Sequence, residues 1–232
     1  MNYKNQLIEE GFSETESEKI EEDIKTNEKR FLRIYNNKET FEKHIGFIYL
    51  IMTKKLKKFG IENISYYEYK NGDLYLIEDI IQTLGELNEK NIIERIESCN
   101  NKLELKKLYL NSLFLIAEKK KIQNKKIKIC EKFLIFFNKL KKEFKNIKIL
   151  DNYCQIYSAL RFQEIGSYEE WIKDIEKNKN FFVEFTENER IINVCFFEDL
   201  EGKINIEEIF YYENTIMLDF EKKFEKIVNN LN

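Results

Sequence analysis

The stretch KNFFVEFTENERIINVCFFEDLEGKINIEEIFYY, residues 179–212, decides the fold. Within it the apolar period drops from 3.6 residues to two. Phe181, Val183 and Phe185 alternate with Phe182, Glu184 and Thr186. Glu187-Asn188-Glu189 turns the chain, and Ile192, Val194 and Phe196 mark a second run. The polar residues 198–203, with Gly202, turn it again before Ile204, Ile206, Phe210 and Tyr212. Three runs joined by short polar turns predict an antiparallel meander. Residues 216–231 return to helical spacing through Phe220, Phe224, Ile227, Val228 and Leu231, a closing helix for one sheet face.

Working outward, everything before this stretch reads as helix. Asp151 can cap a helix over 152–164, and Ser167 with Glu170 forms a capping box for a short helix holding Trp171, Ile172 and Ile175. Residues 102–148 predict two long helices. The first carries Leu105, Leu108, Tyr109, Leu113 and Ile116. The second carries Ile127, Phe133, Phe137, Leu140 and Phe144, with Ile135 and Phe136 widening its stripe. Near the N-terminus, Ser13 and Glu16 make a capping box for a helix to about residue 35. A second helix spans about 41–59, with Gly60 as its C-terminal cap. A tyrosine-rich extended segment follows over 61–70, then Asn71-Gly72 as a turn and a helix ending at Gly85. A further helix covers about 89–99. The expected class is α+β. A helical body over 1–178 and a three-stranded sheet with its closing helix over 179–232 pack as one unit.

Charge is unevenly distributed. Residues 102–148 hold 15 Lys and 4 Glu, a local +11. The flanks are acidic, with 15 positive and 20 negative residues before this stretch, and 9 positive and 18 negative after it. The basic segment offers a lysine row, Lys121, Lys125, Lys128, Lys132, Lys139 and Lys142, that could track a phosphate backbone. It contains no Arg, the better bidentate phosphate reader, which favours a solvated helix face.

The chain has no Pro, two Ala and three Val, and is rich in Lys, Asn, Ile and aromatics. That pattern points to a low-GC genome, such as an AT-rich bacterium, its phage or a similar virus, whose codon bias supplies part of the lysine excess. No signal-type segment opens the sequence, and no apolar run is long enough to span a bilayer, so a cytoplasmic location is expected. The four cysteines are widely spaced in apolar contexts and read as reduced core thiols.

No recognised catalytic or metal-binding pattern is present. The single histidine, His44, excludes a two-histidine zinc site, and the seven glycines form no phosphate-cradling loop. Glu201-Gly-Lys203 has the form of a nuclease element but falls in a turn. The expectation is therefore a non-enzymatic interaction protein without cofactor or metal. It would inhibit or neutralise a basic partner protein such as a nuclease, in the manner of toxin-immunity or phage anti-defence proteins. Two acidic clusters are candidates for that contact. One is Glu14, Glu16, Glu18, Glu21, Glu22 and Asp23 on the first long helix. The other is Glu187, Glu189, Glu198, Asp199 and Glu201 in the sheet turns, with Phe197 and Tyr211 as aromatic anchors. Nucleic-acid binding through the lysine row is the alternative.

Overall fold

A computed structural model describes residues 3–34, 44–61, 73–122, 125–162, 168–177, 179–187, 190–211 and 218–231. The class is α+β, mainly helical with a small antiparallel sheet. By internal contacts the chain divides into two compact units, Met1–Ser112 and Leu113–Asn232. No described helix is long and apolar enough to cross a membrane.

The first unit contains α1 (Tyr3–Glu10), α2 (Glu14–Ile34), α3 (Ile45–Met52), a 3-10 turn (Lys57–Phe59), α4 (Asp73–Glu86), α5 (Ile92–Ser98) and the start of α6 (Lys102–Lys119). Its buried residues include Leu7, Phe12, Ile20, Ile24, Ile48, Ile77, Ile80 and Ile96. The Ser13–Glu16 capping box forms, with the Glu16 N–H donating to Ser13 Oγ at 3.3 Å. Asn27 interrupts the helical dihedrals of α2 where Thr26 and Asn27 side chains donate back to the Glu22 and Asp23 carbonyls.

Two expected boundaries move. The helix expected to stop at Gly85 runs on to Glu86. Gly85 is there for close approach, since a Cβ on it would come within 2.7 Å of Gly11 Cα. Gly11 itself sits at φ +113°, and a Cβ there would lie 2.8 Å from the Ile81 carbonyl oxygen. The helix expected to reach residue 59 ends at Met52 and is replaced by tight turns, with Gly60 in the left-handed region as expected. The start of that helix at Phe41, the tyrosine-rich segment after Ile61 and the Asn71-Gly72 turn lie outside the described residues.

The second unit holds the rest of α6, then α7 (Glu131–Glu143), β1 (Ile147–Leu150), α8 (Tyr153–Phe162), α9 (Tyr168–Glu176), β2 (Asn180–Glu187), β3 (Arg190–Glu198), β4 (Ile204–Tyr211) and α10 (Leu218–Leu231). The sheet has four strands in the order β1-β2-β3-β4, all antiparallel, not the expected three. The added strand β1 comes from the basic segment and pairs Ile147 with Phe185 and Leu150 with Phe182.

Both sheet faces are covered, where the alternation predicted one. Strand register places Phe181, Val183 and Phe185 on the same face as Phe196, Val194 and Ile192. Helices α7 and α10 pack there, with Phe133 4.2 Å from Phe181, Phe136 5.4 Å from Phe196 and Phe224 5.0 Å from Phe185, ring centre to ring centre. On the opposite face Trp171 of α9 meets Phe182 at 5.3 Å and Phe210 at 5.9 Å. Double-sided burial explains the nearly unbroken apolar run Ile191–Phe197. Along the two helices of the basic segment, Leu113, Phe133 and Phe137 are buried and Leu108 is half-buried.

Candidate interaction surfaces

The acidic residues of α2 divide by what their carboxylates do. Glu16 is 9% exposed and accepts the Ser13 hydroxyl at 3.1 Å and the Ile93 N–H at 3.0 Å, so it caps α5. Glu21 pairs with Lys25 at 2.9 Å, and that bond holds its carboxyl below the usual range. Asp23 accepts the Tyr49 hydroxyl at 2.8 Å. Glu14, Glu18 and Glu22 are exposed at four-residue spacing and so share one helix face. Lys4 reaches Glu14 at 2.8 Å and Glu18 at 2.7 Å, and the bond to Glu14 holds that carboxyl low.

The second acidic cluster does not come together as one patch. Glu187 pairs in register with Arg190 at the β2–β3 end, and Glu189 lies outside the described residues. Glu198, Asp199 and Glu201 belong to the β3–β4 turn, which is heavily braced. Asp199 Oδ1 accepts the N–H of Glu201 at 3.0 Å and of Lys203 at 2.8 Å, and its Oδ2 accepts Asn205 Nδ2 at 2.7 Å. The Lys203 N–H leads in holding the Asp199 carboxyl below the ordinary range. Gly202 takes φ +82° and its N–H closes the turn on the Asp199 carbonyl at 3.0 Å. From α7, Lys132 Nζ donates to Glu198 Oε1 at 2.6 Å and to the Gly202 carbonyl. Glu201 pairs with Lys203 at 3.0 Å.

At the summit of this braced turn stands Leu200, fully exposed. The expected aromatic anchors are differently placed. Phe197 is half-buried within β3, and Tyr211 is half-buried with its hydroxyl donating to Glu221 at 2.9 Å. Leu200 went unnoticed in the sequence because a leucine in a polar turn gives no sign of whether it folds inward.

The lysine row is broken. Lys121, Lys125 and Lys128 lie in the exposed connection before α7, and Lys121 has φ +58°. Lys132 is tied to the β3–β4 turn, and Lys139 donates to the Leu231 carbonyl at 2.9 Å. Lys142 is exposed on α7. The helix carries two exposed apolar residues among these cations, Leu134 at 41% and Ile135 at 53%.

A titratable group also gathers where α1, α3 and α4 meet. The Glu10 carboxylate accepts the Ile45 N–H at 2.9 Å and the Gly46 N–H at 2.8 Å, capping the buried helix α3. His44, the residue preceding α3, bonds through Nδ1 to Glu78 Oε1. Neither Glu10 nor Glu78 stands in a sequence motif that signals these contacts. Burial pushes the Cys99, Cys154 and Cys195 thiols up, which disfavours the nucleophilic thiolate. Among the described residues no three of His, Cys, Asp and Glu gather as a metal-holding group. Comparison with protein-family models, with curated protein sequences and with solved structures finds no match to this chain.

Proposed function

We propose that this protein binds a basic partner protein through the β3–β4 turn and inhibits it by covering its anion-binding surface. The reading is carried by Leu200, a large apolar side chain held out in water on a braced turn among Glu198, Asp199 and Glu201. Exposing a leucine in this way forgoes burial of its side chain, worth roughly 1.5–3 kcal/mol, and a partner's apolar socket recovers that. Bracing lowers the ordering cost on binding. The carboxylates around it suit a socket edged with Lys or Arg, the surface a nuclease presents to its substrate. An immunity or anti-defence protein acting in the cytoplasm is the kind of molecule this describes.

The test is capture from the cells that encode the protein, with three baits beside wild type. Leu200→Ser and Glu201→Lys should each lose a basic protein that wild type enriches. The triple variant Glu14→Lys, Glu18→Lys, Glu22→Lys should keep it. An acidic captured partner, or capture by either turn variant that equals wild type, would refute the proposal.

A further inference from the structure

We infer that a second copy of this chain is the other occupant of the turn, seated on the outer face of α7. Ile135 is half exposed, and its helix-surface neighbours three, four and seven residues away include Lys132, Lys139 and Lys142. Lys132 is engaged by Glu198 and Gly202, Lys139 by the Leu231 carbonyl, and Glu131 lies four residues before Ile135, so Lys142 is the cation of this apolar centre's edge that the pairing uses. The β3–β4 turn is the reverse, Leu200 among carboxylates. The two surfaces complement each other in charge at Glu201 and Lys142 and in apolar content at Leu200 and Ile135, and one molecule carries both.

They are also adjacent. Lys132 leaves α7 and ends on Glu198 and Gly202, so the turn stands beside the first helical turn of α7. Two complementary patches side by side on one unit permit an isologous pairing. Each copy's Leu200 sits against its partner's Ile135, and Glu201 faces Lys142, about a two-fold axis. Within one molecule this contact does not form, since Leu200 is fully exposed and Ile135 half exposed. The patch is small and rim ion pairs contribute little each, so the dimer is weak and salt-sensitive. Dimerisation covers the same Leu200 that the proposed partner would take, so the two associations compete.

Sedimentation equilibrium of the full chain tests this without any partner, and so separately from the proposed function. At low salt, the weight-average mass should climb with concentration from 28.3 kDa toward twice that value, and high salt should return it to 28.3 kDa. Leu200→Ser and Ile135→Ser should each stay at the monomer mass where wild type is half dimeric. Glu201→Lys or Lys142→Glu should each weaken the dimer about tenfold, because a two-fold axis repeats every altered pair. The combined reversal, Glu201→Lys with Lys142→Glu, should restore wild-type affinity. A wild type that stays monomeric at every concentration overturns the inference. So does a dimer that survives either serine variant, or a double reversal that stays as weak as the singles. Circular dichroism of each variant confirms that it is folded.

Discussion

Glu10 and Glu16 sit in the most acidic segment of the sequence, yet each is spent on a helix end. Glu16 caps α5 from α2, and its replacement by Ala should lower stability by about 1–2 kcal/mol, measured by urea unfolding. Glu10 has a pH consequence. Burial raises its carboxyl from 4.5 to about 7, against the two N–H bonds from Gly46 and Ile45 that favour its charge. Glu78 pushes in the same direction as burial, while His44 opposes it. The folded state therefore holds this proton more tightly than the unfolded chain does. The resulting stabilisation is complete below pH 4.5 and is lost as pH rises through 7, on the order of 3 kcal/mol. Glu10→Gln removes the titration. Relative to wild type, the variant should gain about that amount between acid and mildly alkaline pH. A stability difference constant with pH would contradict the assignment. None of this was legible in the sequence, where residue spacing showed a capping box at Ser13 but not which distant helix Glu16 or Glu10 would meet.

Elements were legible where their pattern was long. The apolar positions of α7 and α10 follow from spacing alone, and Phe133, Phe136, Phe137 and Phe224 are all buried where that spacing puts them. Phe133→Ala should cost about 3–5 kcal/mol, since the ring is fully buried between Phe181 and Phe137. An unchanged thermal midpoint would contradict the packing of α7 on the sheet. Strand β1 was missed because Ile-Lys-Ile-Leu is too short to show a period of its own beside a helical pattern. The lysine row was overextended for a related reason. The residues before Glu131 keep helical spacing, but the Ile127 N–H bonds to the Asp151 carbonyl at 2.6 Å and Lys126 bridges Asn152, which draws this segment out as extended chain. The opposite face of the sheet was hidden in Ile191–Phe197, whose continuous apolar character signals two buried faces rather than one.

For the molecule as a whole, net charge separates into segments without becoming three matching surfaces. The acids of α2 are partly consumed by caps and by Lys4, and the basic segment is divided among α6, a connection, α7 and β1. Among the described residues, the β3–β4 turn gathers Glu198, Asp199 and Glu201 around the exposed Leu200. If it meets a basic partner, charge should act on encounter and the leucine on residence. The most direct measurement is the pair of rate constants for the captured basic partner, taken with wild type, Glu201→Lys and Leu200→Ser at two salt concentrations. Glu201→Lys should slow association and reduce its salt dependence while leaving dissociation nearly unchanged, and Leu200→Ser should speed dissociation by about tenfold or more. Association and dissociation rates that match wild type in both variants would contradict the account.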